Sequence, residues 1–322
     1  MRFWRVLLLG FFFVLNSAAA QYPSKPVRMI IPFAPGGASD FVGRILQPRL
    51  SELLGQPVVI ENRPGASGNI GLEAGARAAP DGYTVYLGNV GTVAINVSVF
   101  PKLPVTPLKD FIAITQVVDV PGALVAHPSF PPNSVKEFVA YAKANPGKVN
   151  YASPGSGSQN RLEMENLRKA AGGLDMVHVP YKGGAGPAVS ALVAGETQVM
   201  FVTASSAMPM VKAGRLKVFA LTAAKRSPEL PNVPTMDEEG FPGFDSGSWQ
   251  GIFVPVGTPK EIVDKLFAVT QQTMKAPEVI QRLAKGGVEV VTSASSAEFH
   301  QFVARETERW ARAVKESGAT VD

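Results

Sequence analysis

The segment Pro35-Gly36-Gly37-Ala38-Ser39-Asp40 joins an apolar run, Val27–Phe33, to an amphipathic stretch. Glycine permits a close backbone approach that a side chain would block. The first N–H groups of the following helix are unpaired and lie at the positive end of its dipole. A carboxylate can accept hydrogen bonds there without lysine or arginine, so we favour anion binding by this loop. Ser39 or Asp40 could instead cap the helix, and for Asp40 we favour the cap because its charge would repel an anion.

A second polar loop, Ser153–Arg161, leads into another predicted helix. Its side chains with donor groups are Ser156, Ser158, Gln159 and Asn160, and Gly157 lies among them. A helix cap needs only one such side chain, so their number favours a ligand. Arg161 could hold a carboxylate through two hydrogen bonds or pair with Glu165 four residues on, and these alternatives stay open.

The other candidate residues follow further predicted strands: Asn89, Thr92, Ser205 and Lys182, with Phe33, Tyr181 and Trp249 as aromatic walls of a cleft. We expect Thr92 to cap a helix and point its hydroxyl into the cleft. Lys182 is more typical of an exposed turn lysine. Each of the three aromatic residues is more often a core residue than a wall.

Other kinds of chemistry find little support. No phosphate-loop pattern, no complete Gly-x-Gly-x-x-Gly before a helix and no Gly-x-Ser-x-Gly elbow occurs. The three histidines, His127, His178 and His300, lack the spacing of a metal site, and the chain has no cysteine. A net charge of +5 with scattered lysine and arginine does not indicate nucleic-acid binding. We therefore expect a binding protein without cofactor or metal, and not an enzyme.

Short apolar runs alternate with helical patterns, which predicts α/β layers with largely parallel sheets. The predicted strands are Val27–Phe33, Val58–Glu61, Thr84–Gly88, Ala123–His127, Val149–Ala152, Met176–Val179, Gln198–Phe201 and Lys217–Thr222. The final helix carries Phe299, Val303, Trp310 and Val314 on one stripe. Pro48 predicts a kink or an early stop in the first helix.

Two strand exits resemble each other, Ile31–Gly37 and Val179–Gly184, each with proline, an aromatic residue and a glycine pair. This similarity is either chance or one loop from each of two domains facing a shared cleft. The segment Ser227–Gly247 resembles a connecting strap, and a weaker break lies near Val120–Gly122. We expect one lobe from residues 21–122 with 248–322, and a second lobe from residues 123–247 including the strap.

The N-terminus has the parts of a secretory signal peptide. Arg2 and Arg5 precede the apolar run Val6–Leu15, and Ala18–Ala20 is a small-residue cleavage site. The apolar run is too short for a spanning helix of about 20 residues. We expect cleavage after Ala20 and a periplasmic mature chain.

Several segments together resemble the receptors of tripartite tricarboxylate transporters, the Bug family of extracytoplasmic solute-binding proteins. The matching segments, in order along the whole mature chain, are Pro26–Asp40, Glu61–Ala66, Pro80–Thr84, Val177–Gly183, Pro231–Thr235 and Trp249–Gly251. The resemblance implies a two-lobed clamshell of the periplasmic-binding-protein type II (Venus flytrap) kind. It also implies that the loop matching Phe33–Asp40 and loops of the middle domain hold a ligand carboxylate.

We expect a small organic acid as ligand, membrane permease subunits as partners and a monomeric chain. Two departures from the family pattern, Arg161 and Val93, stand where relatives often carry histidine. Arg161 would favour a second carboxylate and Val93 a less polar wall, so an aromatic or dicarboxylic acid is expected. The alternatives are a sensory module for a membrane kinase and, less favoured, an exported hydrolase.

Overall fold

The computed structural model describes residues 22–244 and 246–318, so the predicted signal peptide lies outside the described residues. The strands are β1 Val27–Ile31, β2 Val58–Asn62, β3 Thr84–Asn89, β4 Phe111–Asp119, β5 Gly122–Ala126, β6 Asn150–Ser153, β7 Val177–Pro180, β8 Val199–Thr203, β9 Lys217–Thr222, β10 Gln250–Pro255 and β11 Glu289–Val290. The helices are α1 Ala38–Leu54, α2 Asn69–Ala76, α3 Asn96–Val99, α4 Pro107–Asp110, α5 Val135–Ala144, α6 Gln159–Ala170, α7 Ala185–Val193, α8 Ala204–Lys212, α9 Lys260–Met274, α10 Pro277–Lys285 and α11 Ser296–Ser317.

The strands form two sheets. One has the order β11-β4-β10-β3-β1-β2 and the other β7-β6-β8-β5-β9. Each sheet is mixed: β1 is parallel to β2 and β3, and β6 is parallel to β7 and β8, whereas β10 and β5 are antiparallel to their neighbours. The predicted α/β class with two lobes is confirmed, and every predicted strand is present within two residues of its expected bounds.

Both faces of the first sheet are buried, which explains why β1 is apolar at every position except Arg28. Met29 and Ile31 pack in one cluster with residues of α1, α9 and α10. Ile30, between them, points to the opposite face and packs with residues of α2 and α11. The stripe of the final helix lies in this second cluster, as predicted.

The second sheet is covered in the same way. Leu124 and Phe201 pack on one face with residues of α5 and α6. Val125 and Met200, their neighbours along the strands, pack on the other face with residues of α7 and α8. Because helices sit on both faces of both sheets, the loops between strands and helices are what remains to form a site at the strand ends.

The chain crosses between the sheets twice, from β4 to β5 and from β9 to β10. The two crossings contact each other, since the Ser248 N–H donates to the Val120 carbonyl at 2.8 Å and Gly247 bridges to Pro121. Strands β4, β10 and β11 were not predicted from the sequence. In β10 the reason is Gly251, an unfavourable residue inside a strand, which is required because a Cβ there would overlap the ring of Phe299.

Of the kink or early stop expected at Pro48, the early stop is wrong, because α1 continues to Leu54. Leu50 and Leu54, beyond the proline, are buried in the lobe core. Their burial holds the last helical turns in place although Pro48 lacks the N–H that the helix ladder needs. Within residues 22–244 and 246–318, no helix has the length and apolar character needed to cross a membrane.

We expect Pro48→Ala to raise the free energy of unfolding by about 1–2 kcal/mol, because alanine restores the missing N–H at an exposed helix position. Urea denaturation followed by circular dichroism measures the change. The matched control is Pro277→Ala, since Pro277 is also exposed but occupies the first position of α10, where proline is favourable. An equal gain in both variants would contradict this explanation.

Candidate functional site

A small cavity lies between the two lobes at the ends of the strands. The residues that line it are Phe33, Gly37, Ala38, Ser39, Ser67, Asn89, Val90, Gly91, Pro154, Gly157, Ser158, Gln159, Asn160, Ala185, Thr203 and Ser248. None of these described residues carries a charged side chain. The cavity volume is about 50 Å³, which holds a group of only a few atoms. A ligand with several carbons therefore requires the lobes to move apart.

Three helices begin at the cavity without a side-chain cap. They are α1 after Gly37, α7 after Gly184 and α8 after Thr203, and none of these three residues makes a capping hydrogen bond. Ala38, Ala185 and Thr203 all line the cavity. The positive ends of three helix dipoles thus converge on one space, where they favour a negative group. At α8 the first N–H, on Ala204, already donates to the Pro121 carbonyl at 2.8 Å, so this helix contributes its dipole and its later N–H groups.

The fourth helix at the cavity, α6, is capped. The Ser158 hydroxyl accepts the Arg161 N–H at 3.2 Å, so Ser158 has the ordinary capping role. Ser158 also lines the cavity, together with Gln159 and Asn160 at the start of the helix. Farther along α6, Leu162 packs in the core of the first lobe, whereas Leu167 packs in the core of the second. Helix α6 is therefore held by both lobes.

The loop before α1 is braced by Asp40. Its carboxylate accepts the Gly36 N–H at 3.2 Å, the Asn62 amide at 3.1 Å and the Arg44 Nε at 2.9 Å. Burial alone would raise the pKa of Asp40, but the hydrogen bonds from Arg44, Gly36 and Asn62 outweigh it and lower this pKa. The predicted cap is wrong in its detail, because Asp40 binds a backbone N–H before the helix, and Arg44 neutralises its charge.

The two similar strand exits contact each other. The Ala34 N–H donates to the Gly183 carbonyl at 3.0 Å, so one loop from each lobe faces the shared cleft, as one of the two sequence hypotheses held. A Cβ at Gly186 would overlap the Pro35 carbonyl, and one at Gly157 would overlap Asn96 Oδ1. The lobes therefore approach each other at positions that only glycine tolerates.

A strained turn supports one side of the cavity. Ala66 and Ser67 adopt left-handed backbone conformations, with φ of 47° and 55°. Such conformations are costly for residues other than glycine and persist only when the surroundings hold them. Here Asn96 Nδ2 donates to the Ser67 carbonyl at 3.0 Å and to Asn69 Oδ1 at 2.6 Å. This places Ser67 at the cavity opposite Gly155, where a Cβ would lie 2.7 Å from its hydroxyl oxygen.

The structure brings part of the predicted site together. The predicted residues that line the cavity are Phe33, Gly37, Ala38, Ser39, Asn89, Gly157, Ser158, Gln159 and Asn160. Those that do not line it are Gly36, Asp40, Thr92, Ser153, Ser156, Arg161, Tyr181, Lys182 and Ser205. The glycine loop before α1 and the polar loop before α6 thus share one cavity, and the second group lies behind or beside it.

Asn89 takes the capping role that was expected of Thr92 and also lines the cavity. Its Oδ1 accepts the Thr92 N–H at 3.0 Å in the first turn of the helical segment Gly91–Ile95, which precedes α3. The Thr92 hydroxyl is fully buried and accepts from the Tyr86 hydroxyl at 2.8 Å, so it does not reach the cleft as expected. Ser205 is also buried, and its hydroxyl has no hydrogen-bond partner in the part of the chain that the structure describes.

The two departures from the family pattern lie off the cavity wall. Arg161 is 5% exposed, and its Nη1 donates to the Ser156 carbonyl at 3.3 Å. Glu165 accepts from the Tyr151 hydroxyl and pairs with Arg168 Nη1 at 2.9 Å. Val93 is 1% exposed within the core of the first lobe, so it cannot form a less polar wall.

Of the three aromatic candidates, Phe33 lines the cavity, whereas the Tyr181 hydroxyl donates to Glu196 at 3.1 Å. Lys182, next to Tyr181, is exposed, as is typical of a turn lysine. Trp249 is a core residue whose Nε1 donates to Glu306 at 3.0 Å, which is the role that aromatic residues more often have.

Sequence reasoning missed several lining residues: Ser67, Val90, Gly91, Pro154, Ala185, Thr203 and Ser248. Six of them lie in or beside loops that follow predicted strands, so the position of these loops was a signal for them. Ser248 had no local signal. It reaches the cavity because the second crossing pairs with the first.

A serine–histidine pair exists beside the cavity. Ser153 Oγ lies 2.7 Å from His178 Nε2, but Ser153 is fully buried, does not line the cavity and also accepts the Gly155 N–H at 3.2 Å. The pair therefore ties β6 to β7 and holds the turn after β6. Among the described residues, no group of three or more histidine, aspartate or glutamate side chains is placed to hold a metal ion.

We expect Gly157→Ala to keep the lobes apart, because its Cβ would overlap Asn96 Oδ1. The chain has no cysteine, so spin labels on Val59→Cys and Val177→Cys, one exposed position in each lobe, report the separation without background. The control is Gly172→Ala, which introduces strain at φ 91° but meets nothing within 4 Å. A label distance that is unchanged in Gly157→Ala would contradict the expected steric block.

We expect Asp40→Asn to lower the free energy of unfolding by about 1–3 kcal/mol at neutral pH, because the charged hydrogen bonds are lost. Since folding lowers the pKa of Asp40, its contribution is complete above the unfolded value of about 3.9 and disappears as the pH falls through the folded value. Urea denaturation at several pH values checks this. Asp264→Asn, at an exposed ion pair, should change stability by less than about 0.5 kcal/mol throughout.

The chain matches a known protein family. The sequence model of the tripartite tricarboxylate transporter family receptor matches residues 42–319 of this chain. Protein BugT of Bordetella pertussis (strain Tohama I) is 36% identical over 305 residues, which cover 94% of this chain and 92% of BugT. The structure of periplasmic binding protein BugD is 37% identical with a TM-score of 0.89, covering 94% of this chain and all of that chain.

Two further solved structures contain organic acids. MatC from Rhodopseudomonas palustris, with bound malate, is 36% identical with a TM-score of 0.86, over 91% of this chain and 100% of that chain. The R. palustris protein Rpa4515, with adipate, is 32% identical with a TM-score of 0.89, over 94% of this chain and 100% of that chain. The chain described here belongs to the tripartite tricarboxylate transporter receptor family of solute-binding proteins.

Proposed function

We propose that this protein captures a small organic carboxylate outside the cytoplasmic membrane and delivers it to the permease of a tripartite tricarboxylate-type transporter. The observation that carries the proposal is the convergence of the uncapped N-termini of α1, α7 and α8 on one cavity. Unpaired N–H groups at the positive ends of helix dipoles bind a carboxylate without a cationic side chain.

The ligand class is supported from two directions. The wall offers hydroxyl, amide and backbone groups but no charged side chain among the described residues, which suits a carboxylate held by several hydrogen bonds. Two similar structures contain the dicarboxylates malate and adipate. Because Val93 and Arg161 both lie off the wall, neither supports the ligand feature expected from it, an apolar body for Val93 and a second carboxylate for Arg161. We place a dicarboxylate first because of the malate and adipate in the two similar structures.

Binding in this proposal is coupled to lobe closure. The lobes contact each other at Ala34 and Gly183 and at glycine positions that leave no space for a side chain. A ligand of several carbons enters when the lobes are apart, and contacts with both lobes then favour the closed form. The closed form is the one that we propose docks on the permease.

The remaining features of the proposal rest on the sequence. We propose removal of residues 1–20, a periplasmic and monomeric mature chain, and a lobe boundary at residues 122 and 248, close to the paired crossings. We also propose that the protein binds without turnover. The exported hydrolase is disfavoured because the Ser153–His178 pair lies off the cavity wall.

Thermal denaturation with a panel of acids tests the function. We expect at least one of malate, succinate, adipate, mandelate and phenylacetate to raise the melting temperature, because a ligand that binds only the folded protein stabilises it by about 2.7 kcal/mol at 100 times its Kd. The dimethyl esters of malate and succinate serve as controls that retain the shape without the charge. A panel without any shift, or an equal shift with the esters, would overturn the proposed carboxylate site.

A further inference from the structure

Behind the cavity wall lies a buried carboxyl group that the proposed function does not use. Glu163 is 3% exposed and sits one turn into α6. Its Oε1 accepts from Gln159 Nε2 at 2.8 Å and from the Ser246 hydroxyl at 2.6 Å, and its Oε2 accepts from Asn160 Nδ2 at 2.9 Å. Gly122 closes the other side, since a Cβ there would lie 3.2 Å from both oxygens.

This arrangement determines which way two amides face. A carboxylate only accepts hydrogen bonds, so the NH2 groups of Gln159 and Asn160 must both point to Glu163. Turning either amide would place its carbonyl oxygen against a carboxylate oxygen and remove one donor from Glu163. An amide orientation that is otherwise ambiguous is therefore set by the network.

The consequence is an acceptor without a donor in a residue of the cavity wall. Gln159 lines the cavity and is 3% exposed. With its NH2 group engaged by Glu163, its Oε1 is buried and has no hydrogen-bond partner among the described residues. A buried carbonyl oxygen without a donor is unfavourable, so a ligand that supplies the donor gains affinity relative to one that does not.

The nature of the donor follows from the rest of the wall. A second carboxylate against Gln159 Oε1 would be repelled by that oxygen and by Glu163 behind it. An ammonium group is disfavoured by the positive ends of α1, α7 and α8 and by the absence of an anionic side chain among the described lining residues. A neutral hydroxyl group meets neither obstacle.

We propose that Gln159, oriented by Glu163, selects carboxylates that carry a hydroxyl group, with the hydroxyl donating to Gln159 Oε1. Gln159 is then a specificity-determining residue that touches the ligand, and Glu163 is a positioning residue. This inference rests on the proposed function, because it requires that the cavity binds a carboxylate.

The test compares acids that differ by one hydroxyl group: malate with succinate, and mandelate with phenylacetate. Burial raises the pKa of Glu163, although the hydrogen bonds from Ser246, Asn160 and Gln159 oppose that rise. Isothermal titration calorimetry is therefore carried out at about pH 8, because a higher pH favours the carboxylate form of Glu163. We expect the hydroxylated member of at least one pair to bind about 10- to 100-fold more tightly.

Each outcome of that comparison has a distinct meaning. Equal affinities within both pairs would overturn the hydroxyl selection and leave the proposed function intact. No binding by any of the four acids would overturn the inference together with its basis. Aspartate has the same four-carbon skeleton as malate, with an ammonium group in place of the hydroxyl group. Tighter binding of aspartate than of malate would overturn the selection of a hydroxyl group in favour of an ammonium group.

Variants separate orientation from simple structural support. In Glu163→Gln the amide of Gln159 can turn, so the affinity ratio of hydroxylated to unsubstituted acid should fall at least five-fold while carboxylate binding persists. The matched control is Glu165→Gln on the same helix, whose carboxylate contacts Tyr151 and Arg168 and does not line the cavity, so the ratio should stay unchanged. A ratio in Glu163→Gln equal to that of the unmodified protein would contradict the positioning role.

If Glu163→Gln does not fold, Gln159→Met provides the measurement. This variant removes the acceptor at the wall and leaves Glu163 with the Ser246 and Asn160 donors. We expect the affinity ratio of the hydroxylated to the unsubstituted acid to fall to about one, whatever the change in the affinity of either acid. A preference that survives in Gln159→Met would overturn the inference.

Discussion

The structure depends on one constraint: a buried backbone N–H needs an acceptor, and the first N–H groups of a helix have none within the helix. At α1, α7 and α8 the residue before the helix supplies no side chain for this purpose. The three helix starts face a cavity between the lobes, and in the proposed function a bound carboxylate accepts hydrogen bonds there. Strands, loops and glycines all serve to bring these donors to one place.

Close approach of the lobes follows from the same constraint. The donors act together only if both lobes contact one ligand, and the interface is built from backbone at Pro35, Gly157 and Gly186. Polar side chains hold these loops in position. Asp40 binds the Gly36 N–H and is itself neutralised by Arg44, which keeps its charge from opposing an anion nearby. Preorganised loops of this kind reduce the ordering cost of binding.

Much of the fold and part of the site were predictable, and the misses have physical causes. Both faces of each sheet are covered by helices, so β1 and β8 are mostly apolar and could be predicted as strands. Strand β10 was missed because Phe299, distant in sequence, requires glycine at position 251. The stop expected at Pro48 did not occur, since Leu50 and Leu54 are held in the core. Arg161 was a plausible ligand in isolation, but it is buried and donates to its own loop.

The sequence by itself determined the chemistry of the loops: a glycine turn before a helix start is a local feature, and its unpaired N–H groups follow from residues adjacent in the chain. It therefore indicated Pro35–Asp40 and Ser153–Arg161 as anion-binding elements of a receptor. The tertiary structure decided how each polar side chain is used, because the partners of these side chains are distant in sequence. Ser246 donates to Glu163 across 83 positions, and Glu163 in turn accepts from Gln159 Nε2. Hydrogen-bond direction in a buried network depends on all of its members, and no local pattern contains them.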